Sequence, residues 1–288
     1  MSDLLLRLIA HSPFYVYALL WVFAARFLYQ KTSPFSFTAE LTERDNPAFG
    51  VCLAGTLIGV AVAMTGAFPS KSVGFLEGAE TMTYSGLLAV GLLRASIWIN
   101  DQWILKKLSI RDELIRDQNV GAGIAVAGSS LATGLILAGA LTGESPSGWE
   151  AIRDTIIYWI VGQTVLIVGA AAYGRLVSYN LQKTLEEDNN GAAGMSLGGF
   201  LVGLGILLWA TLRNASGSLL DELVVSGGLL AVGGPLLLLT SIVTEKLFLP
   251  KINLANEIAL QKNMAAGMMC AAASITTAVL LAGLIVTR

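Results

Sequence analysis

Arg94 is the side chain best placed to do chemistry in an apolar setting. It falls in the apolar run 82–100, about 18 Å from one end and about 9 Å from the other if the run is a helix rising about 1.5 Å per residue. A guanidinium at that depth costs at least about 2.5 kcal/mol. It must therefore face protein or water beside a partner, or reach back along its own stem to the interface. Asp101, seven residues on, shares its helical face and is the expected partner. Arg26 lies nearer the end of its run and reads as an interface anchor. The run Gly86-Leu-Leu-Ala-Val-Gly91 recurs as Gly228-Leu-Leu-Ala-Val-Gly233. The first copy continues to Leu93 and Arg94, and the second to Gly234 and Pro235. Proline removes an amide and clashes with the preceding turn, so a kink is expected there; broken helices expose carbonyls that transporters use to hold ions. One charged and one broken position at a shared depth make a candidate mid-membrane site. Glu245 occupies the place of Asp101 in the second half. Acids at a helix C-terminus oppose the helix dipole, so Lys106 or Lys107, and Lys246, are the expected partners.

Four asparagines form a second set. The pattern Asn-x-[Ala/Gly]-x-Gly opens helices at Asn46, Asn119, Asn190 and Asn263, with spacings of 73, 71 and 73 residues. Asparagine caps helices because its side-chain oxygen accepts an amide that the first turn leaves unpaired. Four positive helix ends on one side are also able to attract an anion, an attraction that Glu43, Glu113, Glu187 and Glu257 partly cancel. Capping is the reading adopted. Gly55-x-x-x-Gly59 and Gly199-x-x-x-Gly203, with Gly50, Gly123, Gly194 and Gly267, make small-residue stripes of the kind that lets helices approach closely in lipid. Ser130, Thr133, Ser274 and Thr277 add mild polarity, which each hydroxyl can satisfy on its own helix.

These residues are carried by eight apolar runs, each near the length of about 20 residues that crosses a bilayer: 13–29, 48–68, 82–100, 120–141, 156–174, 192–212, 223–244 and 264–286. Backbone groups in lipid must bond internally, so the runs are helices. Composition agrees, with 55% hydrophobic and only 13% charged residues among 288. The net charge of −2 and the lack of a basic tail exclude nucleic acid as a partner. Cys52, Cys270 and the lone His11 give no metal spacing, and no cofactor is expected. Arg7 and His11 interrupt the first apolar stretch, which does not read as a cleaved signal. Lys31, Arg44, Lys106, Lys107, Arg111, Arg116, Arg175, Lys183, Lys246, Lys251 and Lys262 fall on one side. Arg7, Lys71, Arg153, Arg213 and Arg288 fall on the other. Eleven against five puts the richer side in the cytoplasm and both termini outside it. The segments 103–115 and 246–260 alternate apolar and charged residues and are expected to lie on the membrane surface, Pro250 breaking the second.

The chain also matches itself at an offset of 144 residues. Leu41, Glu43, Asn46, Ala48 and Gly50 meet Leu185, Glu187, Asn190, Ala192 and Gly194, while Glu113, Asn119, Gly123 and Ser130 meet Glu257, Asn263, Gly267 and Ser274. Each half, residues 1–149 and 150–288, holds four helices. An even number brings the second half in with the same orientation. The four asparagine blocks divide each half again into helical hairpins. The fold expected is all-α: eight transmembrane helices as two tandem, same-orientation four-helix repeats.

With these asparagine blocks, and with Glu113 and Glu257 each six residues before theirs, the chain resembles the YjfL-like bacterial inner-membrane proteins, domain-of-unknown-function family 350, as two tandem units over nearly its whole length. The resemblance implies a bacterial inner-membrane location and a link to envelope maintenance, and no mechanism. No nucleophile–base pair, phosphate loop or pair of buried carboxylates is recognisable, so an enzyme is the least expected class. The expected role is a non-catalytic membrane component that scaffolds a homo-oligomer or a protein partner through small-residue faces or cytoplasmic loops. The alternative is a channel or transporter with a site near Arg94 and Pro235.

Overall fold

The computed structural model describes residues 2–69, 73–104, 111–142, 148–186, 189–213, 219–248, 250 and 252–286, with the side chains of 2–10, 241, 244 and 245 left outside that description. Nine α-helices are seen among them: α1 Ser2–Thr32, α2 Pro47–Thr65, α3 Phe75–Ile99, α4 Val120–Ala140, α5 Gly148–Leu176, the short α6 Leu181–Glu186, α7 Gly191–Leu212, α8 Leu219–Phe248 and α9 Met264–Val286. The eight long ones carry stretches long and apolar enough to cross a membrane. They extend past several of the apolar runs because polar residues continue the helices beyond the hydrocarbon layer: α3 begins at Phe75 and α8 ends at Phe248.

The eight form two layers. The second helix of each hairpin stands in an inner row, α2 on α4, α4 on α7 and α7 on α9, each packed along its length against the next. The first helices make an outer row set into the grooves: α3 touches α2 and α4, α5 touches α4 and α7, and α8 touches α7 and α9. In consequence 83% of the spanning window of α4 is buried but only 11% of that of α8.

Small residues build the inner row. A helix of the row turns a leading face to the next helix, with residues spaced 7, 4 and 7 apart: Ala48, Gly55 and Gly59 on α2, and Gly66 just past its end. It also has a trailing face turned to the previous one: Gly123, Ala127, Gly134 and Ala138 on α4. A Cβ built on Gly55 would lie 2.4 Å from the Ala127 Cβ, and one on Gly123 would lie 2.4 Å from the Ala48 carbonyl oxygen. The same meeting recurs where Gly194 faces Gly121, and again where Gly267 faces Ala192. The glycine stripes of the sequence are thus two faces of each helix, one for each neighbour.

The spatial register between the halves is 144 throughout. Leu93 lies against Gly59 and Leu237 against Gly203, both leucines fully buried. The repeated Gly-Leu-Leu-Ala-Val-Gly run is displaced by two residues from this register. The spatial counterpart of Arg94 is therefore Leu238, and that of Pro235 is Gly91. The charged and the broken position do not share one depth. Of the segments expected on the membrane surface, residues 105–110, 249 and 251 lie outside the description, and the turns before the caps are docked, with Glu113, Leu114 and Ile258 buried. Each precedes a cap asparagine that ties it to the inner row.

Candidate functional site

Each inner-row helix starts from the same local structure. A turn with π-type bonding or the short α6 is followed by one non-glycine residue in the left-handed region: Asp45, Gln118, Asn189 and Lys262, with φ of 47°, 47°, 49° and 52°. The asparagine comes next. Asn46 Oδ1 accepts the Phe49 amide at 3.0 Å, and its Nδ2 donates to Glu40 Oε2 at 2.9 Å and to the Leu114 carbonyl at 2.7 Å. Asn119 accepts the Ala122 amide and donates to Glu113 Oε2 and the Leu185 carbonyl, and Asn190 accepts the Ala193 amide and donates to the Ile258 carbonyl. Asn263 caps the Ala265 and Ala266 amides and donates to Glu257 Oε2. In Asn46 and Asn119 one amide group thus caps its own helix, holds its own turn and ties its unit to the following one, while Asn190 lacks the second bond and Asn263 the third.

The acid six residues before the cap is the partner in three units. In the first it is Glu40, buried and paired with Arg44 at 2.9 Å, whereas Glu43 is exposed. Thr184 stands at that place in the third unit. The six-residue offset of Glu113 and Glu257, carried back to Asn46, would have found Glu40. Burial holds the Glu113 carboxyl above the ordinary carboxylate range, the Asn119 hydrogen bond opposing, Asp117 and Glu186 adding and Arg116 subtracting. The fold therefore favours the protonated form. That contribution is complete below the unfolded value, about 4.3, and is lost as pH rises through the folded value. Glu113→Gln keeps an acceptor without the titration. Its melting temperature should run parallel to that of the native protein below about pH 4 and gain on it as pH rises towards neutral. A pH-independent difference between the two melting curves would remove Glu113 from this role.

Arg94 and Asp101 line one cavity of about 600 Å³ between α1, α2, α3 and the turn before α4. The half-buried Arg94 guanidinium lies 5.9 Å from the centre of the Tyr29 ring, whose hydroxyl donates to the Val90 carbonyl at 2.8 Å. Phe35, Phe49 and Trp98 wall the cavity, and Arg111 joins it from the turn. The related space in the second half is only about 90 Å³. Phe200, the counterpart of Thr56, fills it by stacking on Tyr173 at 4.7 Å between centroids, and Leu238 replaces Arg94. Lys106 and Lys107 lie outside the described residues, as does the Glu245 side chain. Pro235 is exposed, Gly234 beside it faces open space, and α8 continues as one helix through both. Transmembrane helices tolerate an internal proline in this way.

Thr133 takes part in a polar contact that joins the two halves, and Ser129 one turn earlier makes a second contact within the first half. The Ser129 hydroxyl donates to Asn100 Oδ1 at 2.7 Å and Gln163 Nε2 to the Thr133 hydroxyl at 3.0 Å, all four residues being buried. The lone glutamine in the apolar run of α5 was the available signal.

An all-helical chain with eight membrane-crossing helices, close-packed through glycine and capped by a repeated asparagine, defines a multi-pass membrane protein built from tandem repeats. Domain of Unknown Function (DUF350) matches residues 3–141 and again 147–285, and the chain belongs to that family. A UPF0719 transmembrane protein of Aquifex aeolicus (strain VF5) is 23% identical over 273 residues, which cover 92% of this chain and 96% of that protein. No solved structure matches. The narrower YjfL-like likeness stays a resemblance.

Proposed function

We propose that the chain is a non-catalytic component of the bacterial inner membrane, a scaffold of two four-helix units, 1–149 and 150–288, with both termini outside the cytoplasm. The observation that carries this reading is the inner row. Four helices meet through one repeated small-residue contact, and the repeated geometry of the first three caps holds each unit to the next. The alternative, a carrier or channel, draws on the Arg94 cavity alone, because Pro235 lies on an exposed face away from it.

The two readings separate in a flux measurement. Purified protein in defined bilayers should pass no common ion above the protein-free background, and Arg94→Leu should leave that result unchanged. A conductance that Arg94→Leu alters would replace the scaffold with a permeation path through the cavity.

A further inference from the structure

The inner row stops at both ends with its contact half made. α9 carries the leading face at the same 7, 4, 7 spacing, as Ala265, Ala272, Thr276 and Gly283, with no helix beyond it among the described residues. Ala265, Thr276 and Gly283 are exposed, and a Cβ built on Gly283 meets nothing within 4 Å. At the other end α2 carries the trailing face, with Ala54, Ala61 and Thr65 exposed. Larger exposed side chains stand on the same helices, Ile58 on α2 and Leu280 and Leu284 on α9, so the small residues mark these two faces by their spacing.

We propose that copies of the chain associate head to tail, α9 of one seated on α2 of the next, through the contact that joins α2 to α4, α4 to α7 and α7 to α9 within the chain. The inference rests on the scaffold reading and names its partner as a second copy.

One further feature fits this occupant. Asn46, Asn119 and Asn190 each donate to a carbonyl of the following unit, at Leu114, Leu185 and Ile258. Asn263 comes last, and the carbonyl in the equivalent place is that of Leu41 in a second copy. Ala272 and Thr276 stand where α2 and α7 have glycine, so copies meet somewhat wider apart than units within the chain. Such a contact joins different faces, so it repeats in one orientation as a row or closes as a ring.

Disulfide trapping tests this directly. A Cβ built on Gly203 lies 3.4 Å from the Ala278 Cβ, close to the separation of about 3.5–4.5 Å that a disulfide spans. The corresponding pair across copies is Thr276 with Ala61. With the buried Cys52 and Cys270 replaced by alanine, the double variant Ala61→Cys/Thr276→Cys should oxidise in native membranes to a ladder of dimers and higher species. Either single variant should stay monomeric, and the two singles mixed should stop at dimers. Crosslinking by a single variant, or a folded double variant without a ladder, overturns the proposal. As a second readout, Thr276→Leu should lower the oligomer fraction about tenfold at a fixed protein-to-lipid ratio, with an unchanged melting temperature, and Thr276→Gly should raise it. An unchanged fraction in both also overturns it. Failure here leaves the scaffold reading standing, because that reading falls only to the flux result.

Discussion

Gly194→Ala is expected to destabilise the protein by about 3 kcal/mol, the upper end of the usual overpacking range, although the substitution adds one methyl group and raises helix propensity. The new Cβ would lie 2.1 Å from the Gly121 carbonyl oxygen and 2.7 Å from its carbonyl carbon. Backbone meets backbone at that point, so no side chain can turn aside. The helices must part, and α4 and α7 are the pair at the centre of the row. Parting them loosens contacts along both helices, and each atom pair separated by even a fraction of an ångström loses much of its dispersion energy. Gly228→Ala makes the control. It lies in α8, where a Cβ meets nothing within 4 Å, and should be neutral or stabilising by up to about 1 kcal/mol through helix propensity. Unfolding of both variants in one detergent, by heat or denaturant, decides the matter. Equal stability of the two would mean that the inner row is not held by close approach.

That contrast marks where the sequence is legible. Small residues at a fixed spacing announce that a helix is approached closely but not by which neighbour. Gly50 and Gly55 read as one ladder although the trailing and leading faces are different surfaces. The order of the row, every second helix side by side, follows from contacts between residues about 70 apart and has no local signature. The eight spans were legible because lipid demands long apolar runs whatever the tertiary arrangement. The caps were legible too, since asparagine before a small-residue run has a mechanism behind it. The turn before each cap was not. Its left-handed residue is aspartate, glutamine, asparagine or lysine rather than glycine, so the conformation is imposed by the packed turn and not by residue type. The site near Arg94 was half legible. That Arg94 and Asp101 lie on one face could be read, but the link to Pro235 came from a six-residue identity two places out of register with the packing. The size of the cavity depends on Thr56 standing where the second half has Phe200, which only the fold aligns.

Asn119→Ala is expected to cost about 3 kcal/mol, more than the loss of a helix cap alone. Losing the cap costs about 1 kcal/mol. The rest comes from the Leu185 carbonyl and the Glu113 carboxylate, both of which lose their asparagine donor in a buried setting, at about 1–3 kcal/mol for groups left unsatisfied. Asn263→Ala removes a cap and a Glu257 bond at a half-buried position but no bond to a following unit within the chain, so its loss should be smaller by about 1 kcal/mol. Asn119→Asp separates the two roles. It keeps an acceptor for the Ala122 amide, removes both donors, and sets a second carboxylate where Nδ2 had been 2.7 Å from Glu113. At neutral pH this variant should be less stable than Asn119→Ala, since two adjacent buried acids cannot both ionise without strong repulsion. It should recover as pH falls and one of the pair takes up a proton. If Asn119→Asp matched the native protein at neutral pH, capping would be the whole role of the asparagine. The tie between successive units would then lie in the small-residue faces alone.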